Sequence, residues 1–133
     1  GPDDEELRKK INNNRIKMMG PTKEPQKVLL SSSIKLNTSL FEGFSMSILE
    51  AQECGVPTIS FNYWESVYEQ ILNNQTGIIA ENKEDYIIKL KELMLNENKL
   101  LQLSKNAKVF SNNFHIEKII DKWIELFNEL DKQ

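Results

Sequence analysis

The chain has 133 residues, 39% hydrophobic and 28% charged, which suits one folded domain with a single core and excludes a disordered or fibrous polymer. Its net charge of −3 comes with lysines interleaved among glutamates, so a nucleic-acid surface, which needs clustered Lys and Arg, is not expected. One cysteine, Cys54, excludes an internal disulfide and fits a reducing compartment, and no apolar run nears the ~20 residues of a transmembrane helix or forms a signal peptide.

In chain order, residues 3–12 read as a helix, with Leu7 and Ile11 one turn apart behind an acidic first turn that suits the helix dipole. Arg15 to Met19 reads as a strand stopped by Gly20-Pro21, residues 24–31 as a short helix, and Ile34 to Asn37 as a second strand. A helix beginning near Ser45 stops at Gly55, and Pro57 to Phe61 follows as the third strand. Thr76-Gly77 then leads into a brief fourth, Ile78 to Ala80. Strands alternating with helices over residues 1–80 predict an α/β fold: a Rossmann-like parallel sheet with helices on both faces.

Residues 83–130 are predicted to be helical. Tyr86, Ile87, Leu90, Leu93 and Met94 share one helix face, as do Leu100, Leu103, Ala107 and Phe110. Ile116, Ile119, Ile120, Trp123, Ile124 and Phe127 form a third stripe. Such stripes are expected to be core, set against the sheet or against a second domain.

The chemistry is concentrated in residues 39–60, SLFEGFSMSILEAQECGVPTIS. A loop at the carboxyl end of a parallel strand that feeds a helix N-terminus is where such sheets bind ligands. The free N–H groups and the positive dipole end of that first turn suit a phosphate. Gly43 permits an unusual backbone turn, and Ser45 is placed to cap the helix that begins at Met46. Glu42 lies in the loop and Glu50 about one turn inside the helix, leaning back toward its start, so both are able to face one ligand. Carboxylates accept well from sugar hydroxyls. Spacing alone leaves a plainer reading open, with Glu42 solvated and Glu50 paired to a lysine; Glu53 on the same helix reads as surface.

Glu42-Gly43-Phe44, followed by Glu50-Ala51 and Cys54-Gly55-Val56-Pro57, resembles the E-x7-E signature of the family 4 retaining glycosyltransferases, GT-B enzymes built from two Rossmann-like domains. Weaker similarity covers nearly the whole chain, at Gly1-Pro2-Asp3 with Leu7, at Arg15 to Gly20 and at Asn74 to Ile78. The resemblance implies that residues 1–133 are part of a C-terminal nucleotide-sugar-binding domain, with residues 1–80 its α/β core. It implies that Glu50 holds the ribose hydroxyls and that Glu42, the catalytic residue of this set, contacts and positions the donor sugar. The loop Gly43, Phe44, Ser45 and Met46 would cradle the diphosphate, and Met19, Gly20, Pro21 and Thr22 would lie near the base.

The resemblance further implies sugar transfer with retention of configuration, the departing diphosphate assisting the acceptor. No metal and no cofactor are expected beyond the nucleotide-diphosphate sugar itself. Many members have glycine where this chain has Ser45, whose hydroxyl is expected to cap the helix and add a donor. The family's phosphate-binding Arg and Lys, and its acceptor-binding N-terminal domain with a catalytic histidine, lie upstream of residue 1. The chain is therefore expected to be a piece of a larger enzyme and inactive alone, with any membrane contact made through the missing part. His115, at a capping position before the last helix, is expected to be structural. Asn-, Ile- and Lys-rich composition points to a low-GC bacterium, and so to capsule, lipopolysaccharide or exopolysaccharide synthesis in the cytoplasm or at the inner face of the membrane. A non-catalytic partner subunit with the same fold is the alternative. A signalling receiver finds no support, since no acidic cluster ends the first strand-like run.

Overall fold

The computed structural model describes residues 5–11 and 13–131. Two short runs make most of the sheet: β2 (Thr58–Phe61) and β3 (Gly77–Ala80) are buried at every position, Thr58 and Ser60 included, as parallel strands covered on both sides must be. With β1 (Lys35–Asn37) they form a parallel sheet in the order β1-β2-β3, with Lys35 opposite Thr58 and Thr58 opposite Gly77. Before the sheet come α1 (Glu5–Lys10) and α2 (Pro25–Leu30), the latter opening on Pro25, whose missing N–H costs nothing in a first turn.

Parallel neighbours need crossovers, and here two helices supply them. α3 (Met46–Glu53) makes the first and α4 (Val67–Gln70) the second. Both lie on one face, where Ile48, Trp64, Val67 and Ile71 close over Ile79. Ile59, Phe61, Ile78 and Ala80 face the other way and are covered by Tyr86 and Leu93 of α5 (Lys83–Leu95) and Leu103 of α6 (Glu97–Ser111). The expected Rossmann-like arrangement, a parallel sheet flanked on both faces, is therefore present. Gly55, at φ +70°, ends α3 in the left-handed turn that glycine takes freely, and the Val56 N–H returns to Ala51 O at 2.8 Å. α6 then reaches past the sheet to that same turn: Ser104 Oγ donates to Gly55 O at 2.7 Å, and Ser111 Oγ to Glu53 Oε2 at 2.8 Å.

The structure differs from the sequence expectation in several places. Arg15 to Met19 is not a strand, and the sheet has three strands. A strand persists only by hydrogen-bonding to a neighbour; no described strand lies beside this stretch, and Ile16 and Met19 remain exposed. The opening helix is present as α1, while Gly1-Pro2-Asp3 and the Leu7 side chain lie outside the described residues. α7 (Ile116–Leu130), reached through a 3-10 turn at Asn112–Phe114, carries the expected stripe but buries none of its residues. Trp123 is 55% and Phe127 57% exposed. Periodicity makes a stripe, but only a covering surface makes it core, and no described element covers this one.

Candidate functional site

The loop from Thr38 to Ser45 leaves the carboxyl end of β1 and enters α3. Ser45 occupies the N-cap position without capping: its Oγ lies 3.2 Å from Ser47 Oγ, and no side-chain cap bond forms. The hydroxyl expected to cap has a nearer hydroxyl partner, and the Ile48 N–H turns instead to Ser45 O at 3.1 Å. The N–H groups of Met46 and Ser47 meet no acceptor among the described residues and lie at the positive end of the α3 dipole.

Two residues of the α4 region hold this loop. Gln70 Oε1 accepts from the Ser45 N–H at 3.0 Å, and Gln70 Nε2 donates to Ser45 O at 2.9 Å. Ser66 Oγ donates to Gly43 O. Behind them Gln52 Nε2 donates to Gln70 O at 2.6 Å. On the outer side Phe44 rests against Phe114, ring centroids 5.6 Å apart. The unusual turn expected at Gly43 is absent, since Gly43 is not in the left-handed region. A Cβ there would meet nothing within 4 Å, so this glycine leaves open space beside the loop.

Glu50 stands exposed on α3 at the edge of a pocket of about 270 Å³ between α2 and α3. Met19, Gly20, Thr22, Lys35 and Ser47 share its walls, so the segment expected near the base and the carboxylate expected at the ribose meet in one cavity. Pro21 does not line it. Glu42 is half-buried in the loop and stands off this pocket, as do Gly43, Phe44, Ser45 and Met46. Glu42 and Glu50 nevertheless share a neighbour. Lys35 of β1 is half-buried, and burial pulls its ammonium below the usual lysine range while Glu42, and then Glu50, partly restore it.

Lys35, Gln70 and Ser66 were not singled out by sequence reasoning. Lys35 did leave a signal: a lysine between Ile34 and Leu36 in a predicted strand is a charge that burial penalises unless something uses it. Gln70 and Ser66 left none, because their partners lie 25 and 23 residues away.

Away from the loop, Glu53 is exposed but not idle. Its carboxyl is held below the usual range by His115, whose Nε2 lies 3.1 Å from Glu53 Oε2, and by Ser111. His115 occupies the N-cap position of α7 without a side-chain cap bond. Among the described residues no group of three His, Cys, Asp or Glu side chains is arranged for a metal ion, and no helix is long and apolar enough to cross a membrane.

A family model described as glycosyl transferases group 1 matches residues 3–110. The chain is 33% identical over 95 residues to an uncharacterised glycosyltransferase of Haemophilus influenzae, covering 70% of this chain and 27% of that protein. It is 30% identical over 114 residues to the poly(ribitol-phosphate) alpha-N-acetylglucosaminyltransferase of Staphylococcus aureus, covering 84% of this chain and 23% of that one. It is also similar to the crystal structure of a variant of S. aureus TarM with fondaparinux, alpha-GlcNAc-glycerol and UDP, at 27% identity and a TM-score of 0.81 over 92% of this chain and 26% of that one. The chain thus spans about a quarter of the length of these relatives.

Proposed function

Since the chain belongs to the glycosyl transferases group 1 family, we propose that it is the nucleotide-sugar-binding part of a retaining glycosyltransferase that builds a bacterial surface polysaccharide. The observation that supports this most is the meeting of Glu50, Lys35 and the Met19–Thr22 segment in one pocket beside the open amides of α3. In this reading the base enters the pocket at Met19, Gly20 and Thr22. Glu50 accepts from the ribose hydroxyls. The diphosphate lies on the Met46 and Ser47 N–H groups, at the positive end of α3, and Glu42 orients the sugar. UDP in the TarM crystal structure makes a uridine nucleotide the first donor to test.

During transfer, the bond from the anomeric carbon to the diphosphate oxygen breaks, and its electron pair leaves with the phosphate. That oxygen takes the proton of the acceptor hydroxyl, whose oxygen bonds to the anomeric carbon on the face just vacated, so configuration is retained. The α3 amides, the helix dipole and Lys35 offset the charge that develops on the leaving group, without a metal. The acceptor is bound by the remainder of the longer protein, on the cytoplasmic side, and that remainder makes any membrane contact.

Titrating the purified chain with UDP while following backbone amide shifts tests this reading. Met19 to Thr22, Met46, Ser47 and the neighbours of Glu50 are expected to respond with a Kd in the millimolar range or weaker, about 4 kcal/mol or less. No sugar transfer is expected without the acceptor half. Shifts confined to another surface would overturn the site, and turnover by the chain alone would overturn the division of labour.

A further inference from the structure

A fully buried primary amide is costly unless each of its polar atoms finds a partner. Gln70 is 0% exposed, and it uses both ends of its side chain on the two backbone groups of one residue, Ser45, 25 residues earlier. One planar amide that accepts from an N–H and donates to the carbonyl of the same residue fixes the peptide planes on both sides of it, as a paired strand would. Gln70 is itself pinned, its own carbonyl taking the Gln52 amide at 2.6 Å from the far half of α3. Ser66 Oγ donates to Gly43 O, two residues upstream of Ser45.

Helix starts are ordinarily organised by the N-cap side chain, and here that device is idle, because the Ser45 hydroxyl is engaged with Ser47. The consequence is unusual: the helix start is rigidly held while two of its N–H groups stay open. We propose that Gln70 is a positioning residue, which holds the Ser45 backbone so that the Met46 and Ser47 N–H groups are preset for the diphosphate of the donor. This rests on the reading of the site given above. Gln70 touches no part of the donor; it acts through the peptide planes of Ser45. A clamp of this kind serves the diphosphate and not the base, because the Met19–Thr22 wall stands on another element and Glu50, though on α3, lies a turn beyond the clamped start and is held there by the helix itself.

That asymmetry separates positioning from mere support of the fold. The experiment compares amide-shift titrations of the chain with UDP and with uridine, in the wild type, Gln70→Leu, Gln70→Glu and, as a control from the opposite face of the sheet, Ile59→Val. For Gln70→Leu the UDP response per millimolar is expected to fall about tenfold or more while the uridine response is unchanged; Ile59→Val should alter neither. Gln70→Glu adds a signature that a purely structural role would not produce. As a carboxylate near pH 8 it accepts from the Ser45 N–H but cannot donate to Ser45 O, so UDP binding is lost. Protonated near pH 5, a state that burial favours, it regains the donor, and binding should recover toward wild type measured at the same pH. If Gln70→Leu does not fold, Gln70→Glu decides alone. Equal weakening of UDP and uridine, or a Gln70→Glu variant without pH-dependent recovery, overturns the proposal. Wild-type binding of UDP that neither substitution affects overturns the clamp alone. A wild-type chain that does not bind UDP at this site overturns the reading of the site and the clamp with it.

Discussion

Replacing Glu50 by Gln in the longer protein separates the roles of the two carboxylates. The Glu50 side chain is exposed and makes no hydrogen bond or ion pair to any described residue, so nothing in the fold depends on it and a stability change under about 0.5 kcal/mol is expected. Its whole effect should fall on the nucleotide. A ribose hydroxyl that donates to a carboxylate is worth about 1.5–3 kcal/mol, so the Kd for UDP should rise about 10- to 150-fold. Because the ribose is gripped alike in ground and transition states, KM for the donor should follow Kd while kcat stays nearly level. Glu42→Gln should behave oppositely. UDP has no sugar, so its affinity should hardly change, while kcat should drop on the order of 100-fold as the anomeric carbon loses its place. Calorimetry with UDP on both variants, beside steady-state kinetics, supplies the four numbers. If Glu42→Gln abolished UDP binding and Glu50→Gln left it intact, the assigned roles would be wrong.

Further expectations concern the fold and the pocket floor. In Gly77→Ala the new Cβ would stand 2.5 Å from Thr58 O and 3.0 Å from Ile71 Cγ2; prying β2 from β3 should cost about 3 kcal/mol in chemical denaturation, and a loss under about 1 would show that the ladder yields easily. Lys35→Met should raise stability by about 1 kcal/mol near neutral pH, because it removes an ammonium that burial penalises, yet it should weaken UDP binding; unchanged affinity would remove Lys35 from the site. The Tyr86 phenol donates to Ile59 O at 3.1 Å, and burial pushes its pKa from 10.0 up to about 12. Its contribution should be complete below pH 10 and disappear as pH rises to about 12, a loss of about 2 kcal/mol that denaturation curves of Tyr86→Phe should lack.

Much of the fold was legible because it is locally written. Four-residue runs bounded by Pro57 and by Thr76 become fully buried strands, and Gly55 halts α3 where a left-handed turn is required. What escaped is non-local. Ile16, Met18 and Met19 have the composition of a strand, but pairing depends on a neighbour that their own sequence cannot specify. The α7 stripe has helical period, yet period does not say what covers it. At the site, the loop and both carboxylates were readable from residue type and spacing, and the meeting of Glu50 with Met19 and Thr22 in one pocket was expected only through the family resemblance. Ser45 shows the limit: its type favours a cap, but the device that organises the helix start is a glutamine on another helix.

The grip of α6 on the end of α3 also bears on how the chain folds. Each strand pairs with the next one along, so the sheet closes over separations of 23 residues (Lys35 to Thr58) and 19 (Thr58 to Gly77). The Ser104–Gly55 and Ser111–Glu53 bonds close 49 and 58. Closing the longest of these costs about 0.8 kcal/mol more in chain entropy than closing the first strand pair, and its reward comes only after both strands and α5 are in place. Chain entropy therefore favours closure of the latch after the sheet, and amide exchange near the Ser104–Gly55 and Ser111–Glu53 bonds is expected to run ahead of exchange in β2.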